Sequence, residues 1–289
     1  MKATQISERG FVFTFEDPYL TNVLVNAGEE RIFVCDTFCG PESMSRVSEY
    51  LQQEGYRDLP TIVFNSHSHY DHIWGNSFFN GLPIIGHNDC RRLIEKEGQK
   101  ALVDYKSHMK GEVVLVTPNI TFAKRILFPE DEIEFFHSPG HTIDSASCYD
   151  HKDKVLFVSD NVESPLPHIC QPDLGLYLET LGGCLDRDWN VLVTGHDPIM
   201  KEDGLLRQNL DYLTRLKSWT IQLSKMPPAA HHQHLYNILL LEQMVEGSGL
   251  EDSMIMHFDD VINYLSSKET TVHENELLKQ LKSVTRKKR

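Results

Sequence analysis

The 289-residue chain lacks a run of about 18 apolar residues, and its first residues, MKATQISERGF, contain no apolar signal core. It also lacks internal repeats of fixed period and low-complexity tracts. These absences argue against membrane-spanning, solenoid and fibrous proteins. We therefore expect a globular, cytoplasmic protein with no membrane partner, long enough to bury a sizeable core.

Positive charge is scarce, with 28 Lys and Arg against 42 Asp and Glu and a net charge of −14. Nucleic-acid binding needs a surplus of basic residues to neutralise phosphates, so no nucleic-acid partner is expected. The basic tail at 282–289 is interpreted as a solvated terminus. The six cysteines form no dense framework, and Cys35 and Cys39 have a poor zinc spacing, which favours reduced thiols.

Short apolar segments bounded by turn residues predict strands, and apolar residues at helical spacing predict helices. A strand, a helix and a strand over 31–65 predict a parallel pair. The predicted strands are 11–15, 20–28, 31–36, 61–65, 83–86, 120–128, 132–138, 145–150, 154–160 and 190–195. The predicted helices are 41–54, 89–106, 174–185, 202–223, 231–245, 253–265 and 273–284.

The segment PPAA at 227–230 predicts a boundary, because only helices are expected beyond it. We therefore predict a catalytic domain at 1–226 and a helical C-terminal extension at 227–289. The tract HHQH at 231–234 has no carboxylate or Cys partners in sequence and is interpreted as a solvated helix start.

The segment NSHSHYDHIWGN places four metal-ligating side chains within six positions, directly after the predicted strand 61–65. They are His67, His69, Asp71 and His72. Two residues apart on an extended chain, His67 and His69 point to the same side and can grip one ion. Burying such a cluster without partners would be costly, so the segment predicts two adjacent metals, each taking two ligands from one loop.

Further candidate ligands follow other predicted strands. SPGH presents His141 after a turn, FVSD ends in Asp160, and LVTGH ends in His196. Each pattern is weak alone, but together they supply the further ligands that two metals need beyond those of the first loop. The sequence therefore predicts a binuclear site at the ends of several strands.

The order H-x-H-x-D-H, P-G-H-T, strand-terminal Asp and T-G-H resembles the metallo-β-lactamase superfamily over residues 11–200. VCDTFCG at 34–40 looks like its first motif. The resemblance implies a four-layer αββα sandwich with the metals at one edge between the sheets. It also implies Asp36 as a residue that orients the ligand loop. The implied ligands are His67, His69 and His141 for one metal, Asp71, His72 and His196 for the other, and Asp160 bridging both.

Two metals about 3.5–4 Å apart share a water whose pKa falls toward neutrality. The nitrogen and oxygen ligands favour two zinc ions, with iron or manganese as alternatives. Asp71 and Asp160 are the candidate catalytic residues, with Asp71 as a ligand that could also relay a proton. Ser66 and Ser68 are interpreted as hydrogen-bonding spacers rather than nucleophiles.

The residue types narrow the choice within the family. Typical zinc β-lactamases carry Cys where this chain has Asp160, and the bridging Asp is similar to that of glyoxalase II-like thioesterases, lactonases and phosphodiesterases. We predict a hydrolase of a small thioester or lactone that uses a metal-bridging hydroxide, with a phosphodiesterase as an alternative.

Two other classes remain open. One is a persulfide dioxygenase-like enzyme with a single iron held by His67, His141 and Asp160. The other is a non-enzymatic protein with a structural metal site, whose C-terminal helices form a homodimer or bind another partner.

One position departs from the family pattern, because PGHTIDS has Asp144 where a small residue is usual. We expect Asp144 to hydrogen-bond its loop. Substrate contacts are expected from the long loop 161–173. The candidate contact residues are Glu163, His168 and Tyr177, with Tyr70 and Trp74 as candidates for the pocket wall, although each is individually expected to be structural.

Overall fold

The computed structural model describes residues 1–56, 59–244, 252–268 and 270–288. The chain forms two compact units. The first comprises Met1–Pro139, Ile143–Asn161 and Arg187–Asp203, and the second comprises Gly140–Thr142, Val162–Asp186 and Gly204–Arg289. The boundary after residue 226 stays a prediction about domains.

A seven-stranded sheet in the first unit follows chain order from β1 to β7. The first four strands pair antiparallel, whereas β4 to β7 are parallel, which confirms the parallel pair predicted over 31–65. The strands are β1 Lys2–Gln5, β2 Gly10–Phe15, β3 Thr21–Ala27, β4 Ile32–Cys35, β5 Thr61–Asn65, β6 Ile84–His87 and β7 Ile120–Phe122.

One face of this sheet is covered by helices. Helix α1 spans Pro41–Gln53 and begins with Pro41, whose fixed φ and missing N–H suit a first helical turn. Its buried residues Met44, Val47 and Leu51 recur at helical spacing and join Phe13 of β2 in one apolar cluster. Helix α2 spans Tyr70–Ile73 and helix α3 spans Asn88–Asp104.

A second sheet in the same unit has the order β12-β11-β10-β9-β8. Its strands are β8 Arg125–Phe128, β9 Ile133–His137, β10 Ala146–Asp150, β11 Val155–Ser159 and β12 Val191–Thr194. The inner faces of the two sheets share an apolar core. Within it, the rings of Phe64 and Phe135 stack with their centroids 4.2 Å apart.

The prediction of one strand at 120–128 was wrong. Residues 120–122 form the edge of the seven-stranded sheet, whereas 125–128 form the edge of the five-stranded one. The apolar pattern continues across the break because both pieces place residues against the core between the sheets. A short apolar run therefore does not reveal that the chain changes sheets.

The second unit is helical. Its helices are α4 Leu174–Leu185, α5 Gly204–Lys217, α6 Pro228–Met244, α7 Asp252–Ser266 and α8 Val272–Lys288. The predicted last residue of α6, Val245, lies outside the described residues. Among the residues that the structure describes, no helix has the length and hydropathy needed to cross a membrane.

The interpretation of the HHQH tract as solvated was wrong for two of its members. His231 and His234 are buried, with 7% and 0% of their surface exposed. His231 Nε2–H donates to the Leu223 carbonyl (3.1 Å), and His234 contacts Tyr212 and His257. The partners that make burial tolerable come from other helices, so the local sequence gives no sign of them.

Candidate metal centre

The ligand-rich loop is held between a buried strand and a short helix. Strand β5 ends at Asn65, and the loop turns into α2 at Tyr70. His67 lies in the loop, His69 precedes the helix in an extended conformation, and Asp71 and His72 lie in the helix. His67, Asp71 and His72 are at most 6% exposed. The turn from strand to helix therefore directs the motif inward.

Asp36, directly after β4, anchors this loop. Its Oδ1 accepts a hydrogen bond from the Ser66 backbone N–H (2.7 Å). Its Oδ2 accepts from Ser66 Oγ (2.7 Å), Ser159 Oγ (3.1 Å) and His72 Nδ1 (2.7 Å). Asp36 is fully buried with φ of 64°, a strained conformation for a residue other than glycine. These contacts match the orienting role expected for Asp36, and those of Ser66 match its interpretation as a hydrogen-bonding spacer.

The end of β11 aims Asp160. The pairing between β11 and β12 shifts register between Phe157 and Ser159, and Ser159 has φ of 48°. Such a bulge bends a strand and redirects the following side chain. Asp160 is consequently 5% exposed and directed toward His72 and His196.

His196 follows β12 after Gly195. His196 Nδ1–H donates to the Leu20 carbonyl (2.7 Å), which leaves the ring's lone pair on Nε2. A Cβ at Gly195 would lie 1.9 Å from Asp160 Oδ1 and 3.1 Å from His72 Cε1. Only glycine fits here, so Gly195 is a site residue that we did not single out from the sequence.

Three imidazoles converge on one carboxylate oxygen. Asp160 Oδ2 lies 3.6 Å from His67 Nε2, 3.3 Å from His72 Nε2 and 3.2 Å from His196 Nε2. Asp71 Oδ2 lies 3.4 Å from the Nε2 atoms of both His72 and His196. One oxygen of Asp160 thus faces both the His67 side and the His72–His196 side of the site.

Six of the seven predicted ligands belong to the first unit, in two groups. Ligand atoms of His67, His69 and Asp160 lie within 4.8 Å of one another, and so do those of Asp71, His72 and His196. The seventh, His141, lies in the segment Gly140–Thr142 of the second unit and is 2% exposed. Its membership of the ligand set stays a prediction.

The carboxylates and imidazoles perturb one another strongly. Burial alone would raise the pKa of the Asp160 carboxyl, but the charges of His196 and His72 hold it well below its usual range. Burial alone would lower the pKa of His196, but Asp160 and then Asp71 raise it to about 10. The charges of Asp160, Asp71 and Asp36 likewise outweigh burial and raise the pKa of His72. Such a cluster favours bound positive charge.

The donor set fits a metal pair. His67, His72 and His196 each have Nδ1 within hydrogen-bond distance of an oxygen, from Ser66, Asp36 and Leu20 respectively. Metal-binding histidines are typically oriented in this way through their second nitrogen. The buried Nε2 of His72 has no hydrogen-bond partner in the described residues but faces two carboxylates. A cation between these groups would satisfy it.

A chain of hydroxyl groups borders the site. Tyr19 O–H donates to Asp71 Oδ2 (3.0 Å) and lies 2.6 Å from the Tyr70 hydroxyl, which lies 2.8 Å from His108 Nδ1. The Tyr19 ring packs edge-on against His196, and 36% of its surface is exposed. Tyr19 carries no motif signal, because it reaches the site from the loop between β2 and β3.

The remaining residues that the sequence suggested as substrate contacts or pocket walls differ in their surroundings. Trp74 and Tyr177 are at most 1% exposed, so neither lines an open pocket. Glu163 accepts a hydrogen bond from the His168 N–H (2.8 Å). The expectation that Asp144 hydrogen-bonds its loop was wrong: neither oxygen of this buried carboxylate has a hydrogen-bond partner of ordinary geometry in the described residues.

A comparison with protein families gives an assignment that is consistent with this cluster of candidate metal ligands. Residues 17–224 match the family model described as the metallo-beta-lactamase superfamily. The chain belongs to this superfamily. The two sheets and the helices match its fold, which confirms the predicted fold class.

Solved metallo-β-lactamases share this fold. A metallo-β-lactamase from Pontibacter korlensis has a TM-score of 0.59 and 19% identity, covering 74% of this chain and 98% of that one. The DIM-1 metallo-β-lactamase has a TM-score of 0.59 and 17% identity, covering 74% and 97%. At these identities the likeness shows the fold alone.

One curated relative is a putative transcription factor, avaE, from Aspergillus versicolor. It is 26% identical over 136 residues, which are 43% of this chain and 40% of the relative. The chain thus spans well under half of that protein's length.

Proposed function

We propose that the protein is a metal-dependent hydrolase that cleaves a small thioester or lactone at a two-zinc centre. The observation that carries this proposal is the convergence of three Nε2 atoms on Asp160 Oδ2, with Asp71 Oδ2 facing two of them. The superfamily supports a metal-binding hydrolase-type site, and the nitrogen and oxygen ligands favour zinc.

The proposed ligand sets are those implied by the sequence resemblance. His67, His69 and His141 would hold one ion, Asp71, His72 and His196 the other, and Asp160 both. His141 Nδ1–H donates to the His168 carbonyl (2.9 Å), so its lone pair is on Nε2. The same tautomer is imposed on His196 by the Leu20 carbonyl. This shared orientation supports His141 as a ligand.

When bound, two zinc ions activate water as a nucleophile and stabilise negative charge that develops on the substrate. The chain's own part is to hold the imidazoles in the correct tautomer and to orient the carboxylates. Asp36 Oδ2 binds Nδ1 of His72, which directs its Nε2 toward the carboxylates. The partly exposed Tyr19 donates its hydroxyl hydrogen to Asp71 Oδ2 and so orients that carboxylate. We place the substrate beside Tyr19, whose partly exposed ring and hydroxyl can contact an ester-like group.

The substrate assignment rests on residue types. A carboxylate at Asp160, in place of the Cys of typical zinc β-lactamases, favours thioester or lactone hydrolysis over β-lactam hydrolysis. The net charge of −14 disfavours nucleic-acid substrates.

The test is elemental analysis of protein purified without added metal or a His-tag, together with assays on thioesters, lactones and phosphodiesters. We expect about two zinc ions per chain and turnover of a thioester or lactone. Asp160→Ala should lose one ion and hydrolysis together, because Asp160 faces both ligand groups. Retention of both would refute the binuclear mechanism. One iron per chain with oxygen uptake on a persulfide would instead establish the dioxygenase.

A further inference from the structure

A fully buried side chain of the second unit, Asn237 on helix α6, binds the loop that precedes α4. Asn237 Nδ2–H donates to the Pro167 carbonyl (2.8 Å), and Asn237 Oδ1 accepts from the Ile169 N–H (3.3 Å). One amide thus fixes the backbone on both sides of His168.

The peptide between these two bonds contacts His141. The carbonyl of His168 accepts from His141 Nδ1–H (2.9 Å), and the N–H of Cys170 donates to the His141 carbonyl (2.8 Å). A carbonyl oxygen can only accept, so this contact sets both the tautomer and the direction of the His141 ring. Movement of the loop would release both constraints.

Neighbouring residues hold Asn237 itself. Gln233 Nε2–H donates to Asn237 Oδ1 (3.1 Å), and Asn237 Nδ2–H donates to the Tyr212 hydroxyl (3.2 Å). The amide therefore has partners on both its oxygen and its nitrogen. Such a satisfied buried polar group has one favoured orientation.

We propose that Asn237 is a positioning residue for the metal centre, which acts through the peptide 167–169 on the orientation of His141. This inference rests on the proposed ligand role of His141. It gives helix α6, the first helix after the family match ends at residue 224, a part in metal binding. Loss of a hydrogen-bond partner behind a metal-binding histidine typically weakens metal affinity about 10–100-fold.

The experiment is a zinc titration of the metal-free, full-length protein against a competing chelator. Asn237→Ala should weaken one of the two zinc-binding steps about 10–100-fold and leave the other unchanged. Tyr212→Phe is the matched control: it removes another contact of the same amide but keeps both loop bonds, so its zinc affinities should stay within about twofold of wild type, well below that range. Histidine side-chain NMR of the metal-free protein should show that His141 loses its fixed tautomer in Asn237→Ala only.

Other outcomes separate this inference from the proposed function. Wild-type zinc affinities in a folded Asn237→Ala protein would overturn the positioning role. If Asn237→Ala does not fold, the same zinc titration is made on Asn237→Asp. This variant keeps the acceptor for the Ile169 N–H but loses the donor to the Pro167 carbonyl, and wild-type zinc affinities in it would overturn the positioning role. In parallel, His141→Ala should lose one zinc-binding step. Unchanged zinc binding in His141→Ala would refute its ligand assignment and, with it, the route proposed for Asn237.

Discussion

A buried histidine pair should make the helical unit sensitive to acid. His234 on α6 and His257 on α7 have Nε2 atoms 3.0 Å apart, and they are 0% and 3% exposed. His234 Nδ1 lies 3.0 Å from the Tyr212 hydroxyl. Burial lowers the pKa of His257 from 6.5 to about 4, although the charge of Asp260 opposes the change, and burial and then His257 lower the pKa of His234.

The direction of the pH effect follows from proton uptake. Between pH 6.5 and about 4 the unfolded chain binds a proton at His257 that the folded chain does not, so stability falls as the pH falls through this window. Above pH 6.5 both states are neutral, and His257 adds no pH dependence. The full difference of 2.5 in pKa corresponds to about 3 kcal/mol. His234 adds an effect of the same sign.

The assay is guanidinium unfolding in the presence of a chelator, monitored by tryptophan fluorescence. It is run at about pH 7.5, 6.5, 5.5 and 4.5, which covers the range below the ordinary histidine pKa. The ring of Trp219 lies 5.6 Å from that of His257 and reports on the same unit. His257→Gln removes the titrating group but keeps a polar partner for His234. We expect wild type to lose about 2.5 kcal/mol relative to this variant between pH 7.5 and 4.5, because part of the full effect lies below pH 4.5. Parallel curves for the two proteins would refute the reasoning.

Three further predictions concern single side chains. Gly195→Ala should lose metal and activity, because its Cβ would lie 1.9 Å from Asp160 Oδ1; elemental analysis checks this against Gly182→Ala, where a Cβ meets nothing within 4 Å. Asp36→Ala should lower the free energy of unfolding by at least about 3 kcal/mol and weaken zinc binding about 10–100-fold, because it leaves buried donors without their acceptor. Chemical denaturation and zinc titration measure these two effects, and wild-type values would contradict the anchoring role. Asp144→Ala should raise stability by about 1 kcal/mol, because among the described residues this buried carboxylate has no hydrogen bond of ordinary geometry and faces only a weak thiol donor, Cys90; a lower melting temperature would disprove this.

Much of the site was predictable because its chemistry is local in the chain. His67, His69, Asp71 and His72 follow β5 within seven residues, and Asp160 and His196 come within two residues of strand ends. The strands β11 and β12 are parallel neighbours, so their carboxyl ends bring Asp160 and His196 to one sheet edge. Strand β5 belongs to the other sheet, so its meeting with them depends on how the two sheets pack. Periodicity likewise indicated most strands and helices, including α4 with the bounds that the structure gives.

The sequence by itself indicated the candidate ligands, their order and the family, because these depend on residue identity and short spacings. Tertiary structure alone decided that the run at 120–128 divides between two sheets, that His231 and His234 are buried, and that Gly195 has no room for a side chain. It also decided that Asn237 bonds a loop some 70 residues away. The physical reason is the same in each case: burial and hydrogen-bond partners come from distant segments, and a local pattern contains no record of which segments will meet.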